Sequence, residues 1–248
     1  MKALNKVAKI TLLFWLMKIV ATTLGETLGD FIAQTLGLGY TIGILITLLF
    51  FAIVLTVQLY QKKYVPLWFW LVIIATTTLG TEISDFIDRS LHLGYTWGSV
   101  LLFTGLVITL FAWYKKFRNL EVYPIVKTNK EVFYWIAILF SNSLGTAFGD
   151  YLSDVVGLSY LNGAMVTATI IVLVVILHYF SKINRIVLFW VAFIFTRPFG
   201  ATFGDFLTKP LAKGGLDLGT LPASAVSFVI MGVFIYISHR QISSQANE

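Results

Sequence analysis

The sequence contains no cysteine and only three histidines, His92, His178 and His239. Without a thiol, the chain has no disulfide, no thiolate metal site and no cysteine nucleophile. The three histidines lie far apart in the sequence, so we interpret them as residues of the membrane interface. A Walker-type nucleotide motif is also missing, which argues against ATP-driven chemistry. We expect no cofactor and no enzymatic activity.

Charged residues are scarce as well. They make up 12% of the chain against 58% hydrophobic residues, and the mean hydropathy is +0.84. This composition is not that of a soluble globular domain. A helix needs about 20 residues to cross a bilayer core. Apolar runs recur at 39–60, 66–83, 99–114, 133–153, 161–180, 186–196 and 221–238, and most of them reach that length once flanking residues are included. The sequence therefore predicts an all-α integral membrane protein that forms a single membrane domain over residues 1–248.

One motif occurs four times along the chain. A tryptophan, a glycine ten residues later and an aspartate five residues after that occur as Trp15-Gly25-Asp30, Trp70-Gly80-Asp85, Trp135-Gly145-Asp150 and Trp190-Gly200-Asp205. An aromatic residue follows each aspartate, and in the first three copies a short turn then ends in tyrosine. We infer four parallel two-helix repeats at about 8–60, 64–118, 128–181 and 184–240, which gives eight transmembrane helices. The N-terminus resembles a signal peptide, but Lys18 interrupts its apolar run and the first repeat begins there, so we expect a retained helix.

These features resemble a bacterial family of uncharacterised membrane-anchored proteins. Its members have four tandem repeats, each with two transmembrane segments and a characteristic tryptophan, which Trp15, Trp70, Trp135 and Trp190 match. The resemblance covers nearly the whole chain. It implies a fold and a membrane location, but no activity.

Lysine and arginine are distributed unevenly between the predicted loops. Thirteen belong to one side: Lys2, Lys6, Lys9, Lys62, Lys63, Lys115, Lys116, Arg118, Lys127, Lys130, Lys182, Arg185 and Arg240. Only Arg89, Lys209 and Lys213 belong to the other. The positive-inside rule then places both termini in the cytoplasm of a multi-pass protein of the bacterial cytoplasmic (inner) membrane. The net charge of +6 does not indicate a nucleic-acid partner, because the basic residues lie where the orientation of the protein in the lipid bilayer places them. Parallel repeats predict a pseudo-symmetry axis along the membrane normal.

A helical wheel places the polar residues of each first helix on one face. This face includes Lys18 and Thr22 in the first copy, Thr77 in the second, Asn142 in the third and Arg197 in the fourth, together with the repeat glycines and aspartates. The glycines are typical of close helix packing. The tryptophans are consistent with either an aromatic belt or an interior position.

Six carboxylates occur in these helices: Glu26, Asp30, Glu82, Asp85, Asp150 and Asp205. Lys18 and Arg197 leave four of these charges without a counter-charge, so the cluster is expected to bind cations, protons or both. Within it, we expect Asp30, Asp85, Asp150 and Asp205 to ligate a metal ion. An outward vestibule with solvated aspartates is the alternative.

The leading hypothesis is a secondary transporter of a hard inorganic cation, a divalent metal or Na⁺, coupled to protons. The available ligands are oxygen atoms, which suit such ions. A proton-coupled exporter of an organic cation, with the tryptophans supplying cation–π contacts, and a non-transport membrane scaffold are the alternatives. The sequence leaves the oligomeric state open, a homo-oligomer included.

Overall fold

The computed structural model describes residues 5–246, so Lys2 lies outside the described residues. Eight long α-helices make up most of this part of the chain, and no strand is found in it. All eight are long and apolar enough to cross a membrane, as predicted for a multi-pass protein. Their bounds are α1 Leu12–Asp30, α2 Gly39–Tyr60, α3 Pro66–Asp85, α4 Gly94–Phe117, α5 Thr128–Asp150, α6 Tyr160–Phe180, α7 Arg185–Thr208 and α8 Thr220–Ala246.

The repeat aspartate ends the regular α-helix in the first three copies. A π-helical turn follows it in each case, at Phe31–Thr35, Phe86–Ser90 and Tyr151–Val155. Such turns interrupt the α-helical register and are frequent at functional sites. The fourth copy differs, because α7 continues as an α-helix to Thr208. The sequence indicates a departure in this copy but does not predict the π-helical turns of the others.

The first helices of the four repeats form a closed ring. Helix α1 packs against α3 and α7, and α5 packs against the same two helices from the opposite side. The second helices lie outside, with α2 on α3, α4 on α5, α6 on α7 and α8 on α1. Each outer helix thus packs mainly on the inner helix of the next repeat, and the last repeat packs on the first. This arrangement agrees with the polar faces of the odd-numbered helices.

The repeat glycines form the contacts between neighbouring inner helices. Gly25 of α1 packs on Thr77 of α3, and a Cβ on Gly80 of α3 would lie 3.1 Å from the Asn142 side chain of α5. The same kind of contact joins the other two pairs of neighbouring inner helices. Gly145 of α5 packs on Arg197 of α7, and Gly200 of α7 packs on Thr22 of α1. Close packing of small residues stabilises helix pairs in membranes. The glycines therefore set the ring diameter, and the residue eight before each aspartate occupies the interface between adjacent helices.

An aromatic cluster fills the end of the ring at which the inner helices begin. Trp70 packs edge-on against Phe69, and Phe69 packs in turn against Trp135 with ring centroids 5.3 Å apart. Trp113 of α4 packs edge-on against Trp190 at 5.8 Å. Since Trp70, Trp113, Trp135 and Trp190 are all buried, they form packed core rather than an open passage.

The N-terminal segment is fixed to this same end by a buried ion pair. The Lys6 ammonium contacts Glu131 of α5, and both side chains are almost inaccessible to solvent. Gln58 of α2 donates to the same carboxylate at 2.8 Å and to the Lys6 carbonyl at 3.0 Å. Lys6 is therefore a structural contact between three segments and not a free interfacial charge.

Candidate functional site

Four repeat aspartates and two cations meet at the other end of the ring. Arg89 lies 3.5 Å from Asp85 and 3.1 Å from Asp150, so it bridges α3 and α5. Lys209 lies 3.2 Å from Asp205 and also contacts Asp30, so it bridges α7 and α1. Each cation is four residues after an aspartate and therefore lies one helical turn beyond it. The aspartates are thus joined in two pairs by the protein's own cations.

A second charged contact lies one turn deeper, between α1 and α7. Arg197 is completely buried and donates to Glu26 Oε2 at 2.8 Å and to the Thr81 hydroxyl. Its Nε and Nη1 atoms have no hydrogen-bond partner among the described residues. A buried arginine with spare donors is costly unless the surrounding charge compensates it. The Glu26 carboxylate supplies the compensating negative charge, and its Oε2 atom accepts the arginine bond across the interface of α1 and α7.

Three carboxylates come close enough together to hold a metal ion. One oxygen each from Glu26, Asp30 and Asp205 lies within 4.8 Å of the others. All three residues are buried, and Lys209 is the cation that bridges the two aspartates. The structure thus divides the four predicted aspartate ligands: Asp30 and Asp205 join Glu26, whereas Asp85 and Asp150 pair around Arg89. We call Glu26, Asp30, Asp205 and Lys209 the seam site, because it lies where the last repeat meets the first.

Lys18 lies deeper still and is held by polar atoms rather than by a carboxylate. Its ammonium donates to Asn142 Oδ1 at 2.9 Å and lies 4.1 Å from the centre of the Phe193 ring. Asn142 in turn donates to Thr76 at 3.1 Å. No carboxylate lies within ion-pair distance of Lys18 in residues 5–246. The predicted role of Lys18 as a direct counter-ion of the acids is therefore not seen in this conformation.

Glu82 differs from the other predicted acids because it faces outward from the ring. It is 1% exposed and lies against Gly43 of α2. Neither of its oxygens has a hydrogen-bond partner in the described part of the chain. The remaining supporting residues have structural contacts: Thr22 donates to Thr196 O at 3.2 Å and Thr77 donates to Ala21 O at 3.0 Å.

The tryptophans lie in the interior, but they do not face the acids. Trp70, Trp135 and Trp190 are almost fully buried, and Trp15 is partly buried against Phe189. The indole N–H groups of the three buried repeat tryptophans are used within the fold, as in the 3.3 Å bond from Trp190 to Leu120 O. No cation lies over a repeat tryptophan within residues 5–246. Their packing gives no support to the organic-cation alternative.

Arg89 and Lys209 are the site residues that the sequence interpretation missed. Both were assigned to loops on the outer side, although each follows its aspartate by four residues. That spacing brings two side chains together on one helix face and was the available signal. The equivalent residues in the first and third repeats are Gln34 and Asp154.

Comparison with known proteins places the chain in a family. The model of the Repeat of Unknown Function (DUF347) matches four times, at residues 13–64, 68–119, 133–184 and 188–242. No curated protein and no solved structure matches the chain. The four matches follow the four helix pairs and cover most of the sequence. The chain therefore belongs to the family defined by this Repeat of Unknown Function.

Proposed function

We propose that the protein is a secondary transporter of a hard inorganic cation, a divalent metal or Na⁺, and that the seam site binds it. The observation that carries this proposal is the convergence of three buried carboxylates in the ring of inner helices. Intramembrane carboxylates are costly and normally serve ions or protons. Oxygen ligands select hard cations.

Lys209 supports a mechanism in which an internal ammonium occupies the site until a cation replaces it. Its Nζ bridges Asp205 and Asp30, where a cation ligated by both would be centred. Its side chain is 19% exposed, so water reaches this end of the ring. An arriving cation displaces the ammonium, and the ammonium returns when the cation leaves. The carboxylates are then never without a counter-charge.

The exposure of Lys209 at one end of the ring and the burial of the charged residues below it support an alternating mechanism. Arg197 and Lys18 below the seam site are completely buried, and the aromatic cluster closes the ring beyond them. With both termini in the cytoplasm and the ring axis along the membrane normal, this conformation faces outward. Release to the cytoplasm then requires the aromatic end to open.

Cysteine accessibility tests the orientation on a background without cysteine. A cysteine at Lys127 should be labelled by an impermeant reagent only from the cytoplasmic side. Cysteines at Thr35 and Leu216 should be labelled only from outside. The reverse pattern would contradict the proposed orientation in the bacterial inner membrane.

Cation flux into proteoliposomes tests the function itself. Asp30 and Asp150 occupy equivalent positions in the two halves of the chain, but only Asp30 belongs to the seam site. We therefore expect Asp30→Asn to abolish cation binding and flux, and Asp150→Asn to reduce them less. Asp154→Asn, a change of an exposed acid, is the control and should transport normally. Wild-type protein that neither binds nor moves Mn²⁺, Mg²⁺, Ca²⁺ or Na⁺ would refute the proposal.

A further inference from the structure

We propose that Glu82 is the proton-carrying carboxyl that couples cation movement to the proton gradient. This inference rests on the transport function proposed above and assigns its coupling ion to one residue. The sequence interpretation grouped Glu82 with the cation ligands, but the structure separates it from them. Its carboxyl lies at the interface of α3 and α2, outside the seam site.

The first observation is that Glu82 has no counter-ion. Glu26, Asp30, Asp85, Asp150 and Asp205 each lie within 4 Å of a lysine or arginine nitrogen. Within residues 5–246, no lysine or arginine lies that close to Glu82, and both of its oxygens lack a hydrogen-bond donor. A buried carboxylate in this position is strongly disfavoured relative to the neutral acid. Glu82 therefore holds a proton in this conformation.

The second observation is how closely α2 covers this carboxyl. A Cβ placed on Gly43 would lie 2.6 Å from the Glu82 carboxyl carbon, so the glycine is what makes room for the acid. Helix α2 carries no charged residue from Gly39 to Tyr60 and cannot neutralise a carboxylate there. Glutamate is also exceptional at this place in the repeat. The equivalent residues are Thr27, Ala147 and Thr202, which are small and uncharged.

The third observation links Glu82 to the seam site. A negative charge on Glu82 is repelled by those of Asp30 and Glu26, because α1 packs on the same stretch of α3: the hydroxyl of Thr81, next to Glu82 in the chain, lies 3.4 Å from Glu26 Oε2. A divalent cation bound by Glu26 and Asp30 brings one more positive charge than the Lys209 ammonium that it displaces, so it offsets more of this repulsion and favours release of the Glu82 proton to water. When Lys209 replaces the cation, that part of the repulsion returns and Glu82 takes up a proton again. Cation and proton thus oppose each other, which is the requirement for exchange of one against the other.

Two transport modes separate coupling from cation translocation. Wild-type protein in proteoliposomes should accumulate cation when a pH gradient is imposed as the driving force. It should also catalyse exchange of cation across the membrane (counterflow) when the pH is equal on both sides. Glu82→Gln, and Glu82→Thr, which copies the first and fourth repeats, should retain counterflow and lose accumulation driven by the pH gradient. Asp88→Asn is the matched control, because Asp88 is a second buried acid of the same helical segment that also lacks an ion pair but accepts a bond from Ser84. It should retain both modes.

Infrared spectroscopy tests the proton without requiring transport. The carbonyl band of protonated carboxylic acids should be present in the wild type at neutral pH and should lose a component in Glu82→Gln that Asp88→Asn retains. A band in Glu82→Gln identical to that of the wild type, or accumulation driven by the pH gradient in the same variant, would overturn the assignment. A wild-type protein without any cation flux, but with the band that depends on Glu82, would refute the transport function while leaving the protonation of Glu82 intact.

Discussion

Replacement of Lys209 by methionine should convert the seam site into a tighter cation site. Methionine keeps the length of the side chain and removes the ammonium that bridges Asp30 and Asp205. A pair of unit charges at 4 Å is worth about 4 kcal/mol at an effective dielectric of about 20. Partial exposure of the lysine reduces this to roughly 2 kcal/mol. Because about 1.4 kcal/mol changes affinity tenfold, we expect about 30-fold tighter binding.

Titration calorimetry with Mn²⁺ and Ca²⁺ on purified protein measures this change directly. Without cation, Lys209→Met should melt at a lower temperature than wild type, since two buried aspartates have lost their counter-ion. Saturating cation should then stabilise the variant more than it stabilises the wild type. Flux should fall, because a cation that is not displaced by the ammonium leaves slowly.

Two matched variants identify the cause. Lys209→Arg keeps the positive charge and should bind cation no more tightly than wild type. Arg89→Met removes the equivalent cation of the other half of the chain. It should give a smaller gain in cation affinity, because Thr146 stands there in place of Glu26 and the third carboxylate is missing. Equal or weaker cation binding by Lys209→Met would show that the ammonium and the cation do not compete for the same carboxylates.

Two further predictions concern stability in detergent. Arg197→Met leaves Glu26 buried without its counter-ion and should lower the free energy of unfolding by about 3–5 kcal/mol, whereas Arg197→Met combined with Glu26→Gln should recover much of it, in a denaturant titration. Gly200→Ala places a Cβ against Thr22 and should cost about 1–3 kcal/mol in the same titration, whereas Gly232→Ala, which meets open space, should change stability little. A Gly200→Ala protein as stable as Gly232→Ala would contradict the close packing of α7 on α1.

The helix pairs and their polar faces could be predicted because they depend on local sequence. The spacing of Trp15, Gly25 and Asp30 recurs in every repeat, and apolar length alone determines which segments cross a bilayer. The acids were located in the right helices for the same reason. Glu82 was grouped with them, since a helical wheel does not show which neighbour a side chain meets.

The pairing of the charges could not be predicted, because it depends on contacts between distant segments. Lys6 and Glu131 come together only when the N-terminal segment packs against α5. Arg89 reaches Asp150 only because α3 and α5 are neighbours in the ring. The π-helical turns after the first three aspartates also shift the register beyond each helix end, which positional patterns in the sequence do not reveal.

The differences among the repeats, rather than their common motif, locate the site. Four copies with the motif but without a lysine or arginine beside it would gather four aspartates that have no counter-charge, an arrangement that is costly in a membrane interior. Cations after the second and fourth aspartates reduce the four-fold pattern to a two-fold one. Glu26 and Arg197, each present in one copy only, then distinguish the α1–α7 interface from the α3–α5 interface. If the ring opens to release an ion, the ion pairs of this one interface are those that must break.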